Sequence, residues 1–215
     1  MSAHSGLKWH TWVWAVALVV AAAYLMAMQR LSAEVLAGLK PVPVLCLALV
    51  SARQVNGFWI TVGLVLSGFG DVFLAVGDAY FIHGLSSFLL AHIAYIISFG
   101  WRPKSSEAWW LAPFVIWGSI MAWLLLPNTG SLTGPVMSYL VVIMFMMWRA
   151  VSFWRCGGRM EAAWGALIFG ISDSLLACRL FLDAAWASPF WVMFTYWCAQ
   201  VLIGRSSHDS HLPSR

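Results

Sequence analysis

No stretch of this chain carries the charge density of a soluble surface. Only 9% of its 215 residues are Asp, Glu, Lys or Arg, and 62% are hydrophobic, whereas a soluble domain has about 25% charged and 45 to 50% apolar residues. Apolar runs long enough to cross a hydrocarbon layer of about 30 Å recur along the whole length, which excludes a separate water-facing domain. Cysteine is equally sparse. Cys46, Cys178 and Cys198 fall within apolar runs and Cys156 in a basic segment, without the Cys-x2-Cys spacing of a metal or redox centre, so they read as small apolar filler. No nucleophile elbow of the Gly-x-Ser-x-Gly type, no P-loop and no dinucleotide fingerprint occurs. His83 and His92 lack His-x3-His spacing and a third partner, so no metal is expected.

What is present is a polytopic, all-α membrane bundle. The hydropathy pattern predicts eight transmembrane helices at about 12–28, 39–52, 58–77, 82–100, 109–126, 134–149, 163–181 and 187–204, forming one integral membrane domain over 1–215. The second is the shortest and opens on Pro41 and Pro43, which a first helical turn tolerates because its N–H groups have no intrahelical acceptor. Cytoplasmic loops are enriched in Lys and Arg. With eight spans, Lys8, Arg53, Arg102, Lys104, Arg149, Arg155, Arg159, Arg205 and Arg215 share one side, against Arg30, Lys40 and Arg179 on the other. Both termini, short tails at about 1–10 and 205–215, are therefore expected in the cytoplasm, and a bacterial copy in the cell inner membrane. The net charge of +4 then reflects topology and anionic headgroups and gives no reason to invoke nucleic acid. Ala21, Ala22 and Ala23 after the first apolar run resemble a signal-cleavage region, but the charge pattern fits a retained helix. Tryptophans near span ends, among them Trp9, Trp101 and Trp186, read as interfacial belts.

Within this apolar background the pattern Gly-x4-Gly-x2-Asp-x2-Leu-Ala is written twice, from Gly63 to Ala75 and from Gly165 to Ala177. Each copy places a carboxylate inside a span, where an ionisable group costs roughly 2.5 to 3.5 kcal/mol even on lenient insertion scales. The copies lie 102 residues apart in spans three and seven, which run in the same direction, and suggest a parallel internal repeat of two four-helix halves. Asp71 and Asp173 are expected to open into one cavity in the non-cytoplasmic half. Gly63, Ser67 and Gly70, with Gly165 and Gly170, supply small faces whose ordinary role is helix packing, and close approach there would bring the carboxylates together. Asp78, seven residues after Asp71, lies on nearly the same face but near the loop. Lys40 and Arg179 read either as interfacial snorkelling charges or as phosphate ligands. His92, Tyr95, Tyr139, Tyr196 and Gln200 fall inside spans, where they either join helices by hydrogen bonds or orient a substrate.

These residues resemble the YhhN-type lysoplasmalogenase membrane family from about Lys40 to Gln200. The resemblance is carried by Lys40-Pro41 through Leu47, Gly70-Asp71-Val72-Phe73-Leu74, Gly84 and Phe88 through Ala91-His92 and Tyr95, Tyr139 with Met144, Gly165-Ala166-Leu167 through Ser172-Asp173 to Ala177, and Thr195-Tyr196 through Ala199-Gln200. Trp197 departs from it, standing where the family often has a second tyrosine. The resemblance implies an eight-helix membrane enzyme that needs no cofactor. Such an enzyme uses water to cleave the vinyl ether of lysoplasmalogens, releasing a fatty aldehyde and glycerophospho-ethanolamine or -choline. Asp71 and Asp173 are then expected to be the acid/base pair, because vinyl ether hydrolysis needs a proton donor and a group that steadies the cation and activates water. Lys40, Asp78, His92, Tyr95, Tyr139, Arg179, Tyr196 and Gln200 are the expected binding or orienting residues. The expected partners are the lysophospholipid, water and membrane lipids. A proton-coupled transporter or lipid-binding membrane protein built on the same buried acids is the alternative reading.

Overall fold

The computed structural model describes residues 3–102 and 105–207, without side-chain detail at 3–10, 105 and 106. Lys104, Arg215 and the tail from 208 lie outside the described residues, as do the side chains of Lys8 and Trp9. Among the described residues all regular structure is helical: α1 (Ala3–Ala27), α2 (Ala33–Leu39), α3 (Val42–Ser51), α4 (Phe58–Val76), α5 (Phe81–Phe99), α6 (Ala112–Leu125), α7 (Thr133–Arg155), α8 (Met160–Leu182) and α9 (Pro189–Arg205), with short 3-10 turns between some of them. Six stretches are long and apolar enough to cross a membrane: Ala33–Ser51, Phe58–Val76, Asp78–Phe99, Glu107–Asn128, Gly130–Arg155 and Met160–Leu182. The chain is a multi-pass membrane protein.

Two differences from the sequence expectation have local causes. The second span does not begin at 39. Helical backbone runs through the Lys40–Pro41 junction, where both residues keep right-handed helical dihedrals. Proline lacks the N–H to continue the ladder but its fixed φ suits a helix, so α2 and α3 form one stretch with a one-turn interruption at Lys40–Pro41. The sixth span, expected to stop at 149, continues in α7 to Arg155. Arg149 is consequently not a loop charge. It is 4% exposed and pairs with the Glu107 carboxylate through its Nη1, while its Nε donates to the Gly100 carbonyl at 2.6 Å.

The helices pack in a closed order, α3 on α4, α4 on α5, α5 on α7, α7 on α8, α8 on α9 and α9 back on α3, while α1 leans on α3 and α6 on α7. The glycines of the repeated motif allow this packing, but not by joining the two motif helices. A Cβ at Gly63 would lie 2.2 Å from the Tyr95 ring of α5 and one at Gly68 3.0 Å from the Leu45 side chain of α3, while Gly70, outside the repeated positions, meets the Phe88 ring of α5 at 2.5 Å. The second copy meets other neighbours, with Ile203 of α9 against Gly165 and Met147 of α7 against Gly170. The expectation that glycine faces draw the two Asp-bearing helices together is therefore corrected: each copy seats a large side chain from a different helix.

Among the motif glycines Gly63 has the least tolerance. Tyr95 is fully buried and its hydroxyl donates to Gln200 Oε1 at 2.8 Å, so the ring has little freedom to retreat. Gly63→Ala is expected to destabilise the protein by about 1–3 kcal/mol, the range for overpacked cores, seen as a lower unfolding temperature in detergent. Ala at Gly77, where a Cβ meets nothing within 4 Å but φ is 139°, probes backbone strain without the clash.

Candidate active site

Asp71 sits one turn before the end of α4 and is 1% exposed. Lys40, at the α2–α3 junction, places its Nζ 3.5 Å from Asp71 Oδ1, and the Tyr196 hydroxyl of α9 donates to Oδ2 at 2.8 Å. Asp173, in α8, accepts a hydrogen bond from the Tyr139 hydroxyl of α7. No cation lies within ion-pairing distance of Asp173 among the described residues. The two carboxylates, chemically identical in sequence, thus have unequal surroundings: a cation and a phenol at Asp71, a phenol alone at Asp173.

Both line one cavity of about 220 Å³ together with Lys40, Tyr139, Arg179 and Tyr196. The rest of its wall is largely apolar and includes Leu74, Phe81, Leu85, Phe88, Leu176, Phe181 and Met193. Of the ten residues singled out in the sequence, the structure brings these six to the cavity. Tyr95, Gln200 and His92 stand behind it. Tyr95 links Gln200 to Ser67, whose Oγ is 3.3 Å from the Tyr95 hydroxyl. His92 is fully buried edge-on to Phe169 at 4.7 Å and Tyr139 at 5.3 Å between centroids, and neither of its ring nitrogens has a hydrogen-bond partner among the described residues. Phe169 also meets the Tyr196 ring edge-on at 5.5 Å, so one aromatic packs against both the His92 and the Tyr196 rings. Asp78 is not brought to the cavity; it is exposed in the 3-10 turn after α4. His83 packs on Phe73 and Tyr80, apart from His92.

The cavity also contains residues that sequence reading did not single out. Ser172 precedes Asp173 and donates to the Val192 carbonyl at 2.9 Å, tying α8 to α9 beside the carboxylate. Its place in the second motif was a usable signal. Tyr24 of α1 reaches the wall with no motif around it, and nothing local in the sequence distinguishes it from packing aromatics.

This cavity joins two acids, phenolic donors and one ion-paired lysine inside apolar walls. In a comparison with known proteins, the sequence profile of the YhhN family matches residues 35–207. The chain belongs to the YhhN family.

Curated relatives of this YhhN-family chain are lysoplasmalogenases. The Bos taurus lysoplasmalogenase TMEM86A is 35% identical over 191 residues, covering 81% of this chain and 79% of its own. The Homo sapiens lysoplasmalogenase TMEM86B is 33% identical over 181 residues, covering 81% and 76%. A Mycobacterium tuberculosis lysoplasmalogenase is 30% identical over 160 residues, covering 67% and 58%. No solved structure gives a significant match. The matched region contains Lys40, both aspartates and all the tyrosines of the cavity except Tyr24.

Proposed function

We propose that this protein is a lysoplasmalogenase, hydrolysing the vinyl ether of a lysoplasmalogen to a fatty aldehyde and a glycerophospho-ethanolamine or -choline, with Asp173 as the acid and Asp71 as the base. The observation that carries the reading is the unequal pair of carboxylates in one apolar-walled cavity. Taking a carboxylate out of water is costly unless a cation and hydrogen bonds compensate it. Asp71 has both, from Lys40 and Tyr196, and is the member suited to hold negative charge. Asp173 has no such cation among the described residues and is the member suited to hold a proton.

In the first step Asp173 transfers its proton to the vinyl carbon distal to the ether oxygen. The alkene π pair forms the new C–H bond, and the positive charge left on the adjacent carbon is shared with the ether oxygen as an oxocarbenium ion. The Asp71 carboxylate stabilises that ion and takes a proton from the water that adds to it, giving a hemiacetal. Protonation of the ether oxygen and loss of the hemiacetal O–H proton then break the remaining C–O bond, and the acid form of Asp173 is regenerated through the same proton exchange. Substrate and one water are consumed, and aldehyde and alcohol are released. Paired carboxylates divide the same two tasks in glycoside hydrolysis. Tyr139 and Tyr196 orient the two acids. Gln200, bonded to Tyr95 and beside Tyr196, and His92, packed on Tyr139, keep those phenols in place.

The same proposal has the chain forming one integral membrane domain that crosses the membrane eight times, with α1, the α2–α3 stretch and α9 among the crossings, both termini cytoplasmic and the cavity in the non-cytoplasmic half. In a bacterium this is the inner membrane. The neighbour order supports a parallel arrangement of two four-helix halves, since α1·α3, α3·α4 and α4·α5 correspond to α6·α7, α7·α8 and α8·α9. The direct test is mass spectrometry of purified protein given plasmenyl, acyl and alkyl lysophospholipids. Fatty aldehyde is expected from the plasmenyl substrate alone. Lipid movement into vesicles without aldehyde would replace this reading by the transporter one.

A further inference from the structure

Beyond the cavity that holds the acids, α8 ends in a way that leaves two opposite charges facing a second space. Arg179 and Leu180 line the first cavity and also a neighbouring pocket of about 290 Å³, which Asp183, Ala184 and Ala185 complete. Oppositely charged residues four apart on a continuing helix are placed to pair with each other. Here the helix stops at Leu182. Asp183 turns into the left-handed region, φ 50° and ψ 34°, and is the only non-glycine residue with positive φ among the described residues. Glycine or asparagine is the usual occupant of such a helix end. No ion pair forms between Arg179 and Asp183, and both remain exposed at the pocket. Lys40, the other cation of the first cavity, is engaged with Asp71, which leaves Arg179 as the cavity cation without an ion-pair partner among the described residues.

We infer that this pocket holds the zwitterionic headgroup of the lysophospholipid, with the Arg179 guanidinium on the phosphate and the Asp183 carboxylate on the ammonium. The inference rests on the proposed hydrolysis for the position of the vinyl ether at Asp173. Along α8 the order is then acid, guanidinium, carboxylate, and along the substrate it is vinyl ether, phosphate, ammonium. The spacing agrees as well. At 1.5 Å of rise per residue, Asp173 to Arg179 spans about 9 Å and Arg179 to Asp183 about 6 Å. With ordinary bond lengths the substrate places its phosphorus about 7 Å from the vinyl ether and its nitrogen about 5 Å further, differences that side-chain reach absorbs. Guanidinium groups suit phosphate because their donors form a planar fork, and the apolar wall of the first cavity receives the hydrocarbon chain at the other end.

The test uses the purified full-length protein and three substrates with the same alkenyl chain: 1-alkenylglycerophosphoethanolamine, 1-alkenylglycerol phosphate and 1-alkenylglycerol. Asp183→Asn is expected to lower the ratio of kcat/KM for the ethanolamine substrate over the alkenylglycerol phosphate by about tenfold, mainly through KM, as fits loss of one charge-assisted contact. Arg179→Gln is expected to lower the ratio for the alkenylglycerol phosphate over alkenylglycerol by a similar factor. Asn tolerates the left-handed conformation, and Asp183→Gly, which relieves it, must lose the ethanolamine preference equally. If Asp183→Gly keeps the wild-type preference, or if both ratios are unchanged in the Asn and Gln variants, the headgroup site is overturned. Failure of the wild type to release aldehyde from any of the three would instead overturn the hydrolysis on which the site rests.

Discussion

Asp173→Asn is expected to reduce aldehyde release by about 10² to 10⁴-fold, the usual worth of a positioned acid or base, and Asp71→Asn to do the same while leaving a different isotopic trace. In D2O, proton delivery to the vinyl carbon puts one deuterium on the carbon next to the aldehyde group of the product. If Asp71 is replaced, the oxocarbenium ion still forms but is captured poorly by water. It returns to alkene by losing either hydrogen, so deuterium is expected in recovered substrate at a higher ratio to product than with the wild type. If Asp173 is replaced, the first step itself is lost and recovered substrate stays unlabelled. Label in recovered substrate with the Asp173 variant and none with the Asp71 variant would reverse the two roles. Near-normal turnover by both variants would remove the dyad altogether. The asymmetry follows from three contacts only: Lys40 and Tyr196 on Asp71, and Tyr139 on Asp173.

The second large effect is on stability, away from the cavity. Arg149→Met is expected to cost about 3–5 kcal/mol, because it removes the cationic partner of the buried Glu107 carboxylate. Arg149 and Glu107 have side-chain exposures of 5% and 9%, and the segment that carries Glu107 is further held by Trp148 Nε1, which donates to the Glu107 carbonyl at 3.0 Å. Replacing both partners, Arg149→Met with Glu107→Met, is expected to recover much of the loss, since well-packed apolar pairs often match a buried ion pair. Breaking the more exposed Arg159–Glu161 pair is expected to change stability by about 1 kcal/mol or less. Unfolding temperatures of the four purified proteins in one detergent decide it. Equal effects of Arg149→Met and Glu161→Gln would show that burial does not set the worth of these pairs.

Arg149 also shows where linear reading loses information. Its side chain is a basic residue near a span end, and the positive-inside rule assigns such residues to a loop. Only the continuation of α7 to Arg155, and a carboxylate brought in from the connection before α6, turn it into a buried structural group. The glycines of the repeated motif behave similarly. Their small size was legible, but the partner of each was not, because Tyr95, Leu45, Ile203 and Met147 reach them from other helices.

What the sequence alone determined is local or compositional: a multi-pass membrane protein, the breaks between apolar runs, and two carboxylates too costly to be incidental. Burial cost is a property of a residue type in an apolar run, so it can be read without coordinates. Tertiary structure alone decided which groups compensate that cost. Tyr196 reaches Asp71 across 125 positions and Tyr139 reaches Asp173 across 34, while Lys40 falls to one aspartate and not the other because the Lys40–Pro41 junction lies against α4. Helix neighbours are chosen by how side chains fit between helices, which no periodicity encodes, and it is that choice that makes two identical motif carboxylates unequal.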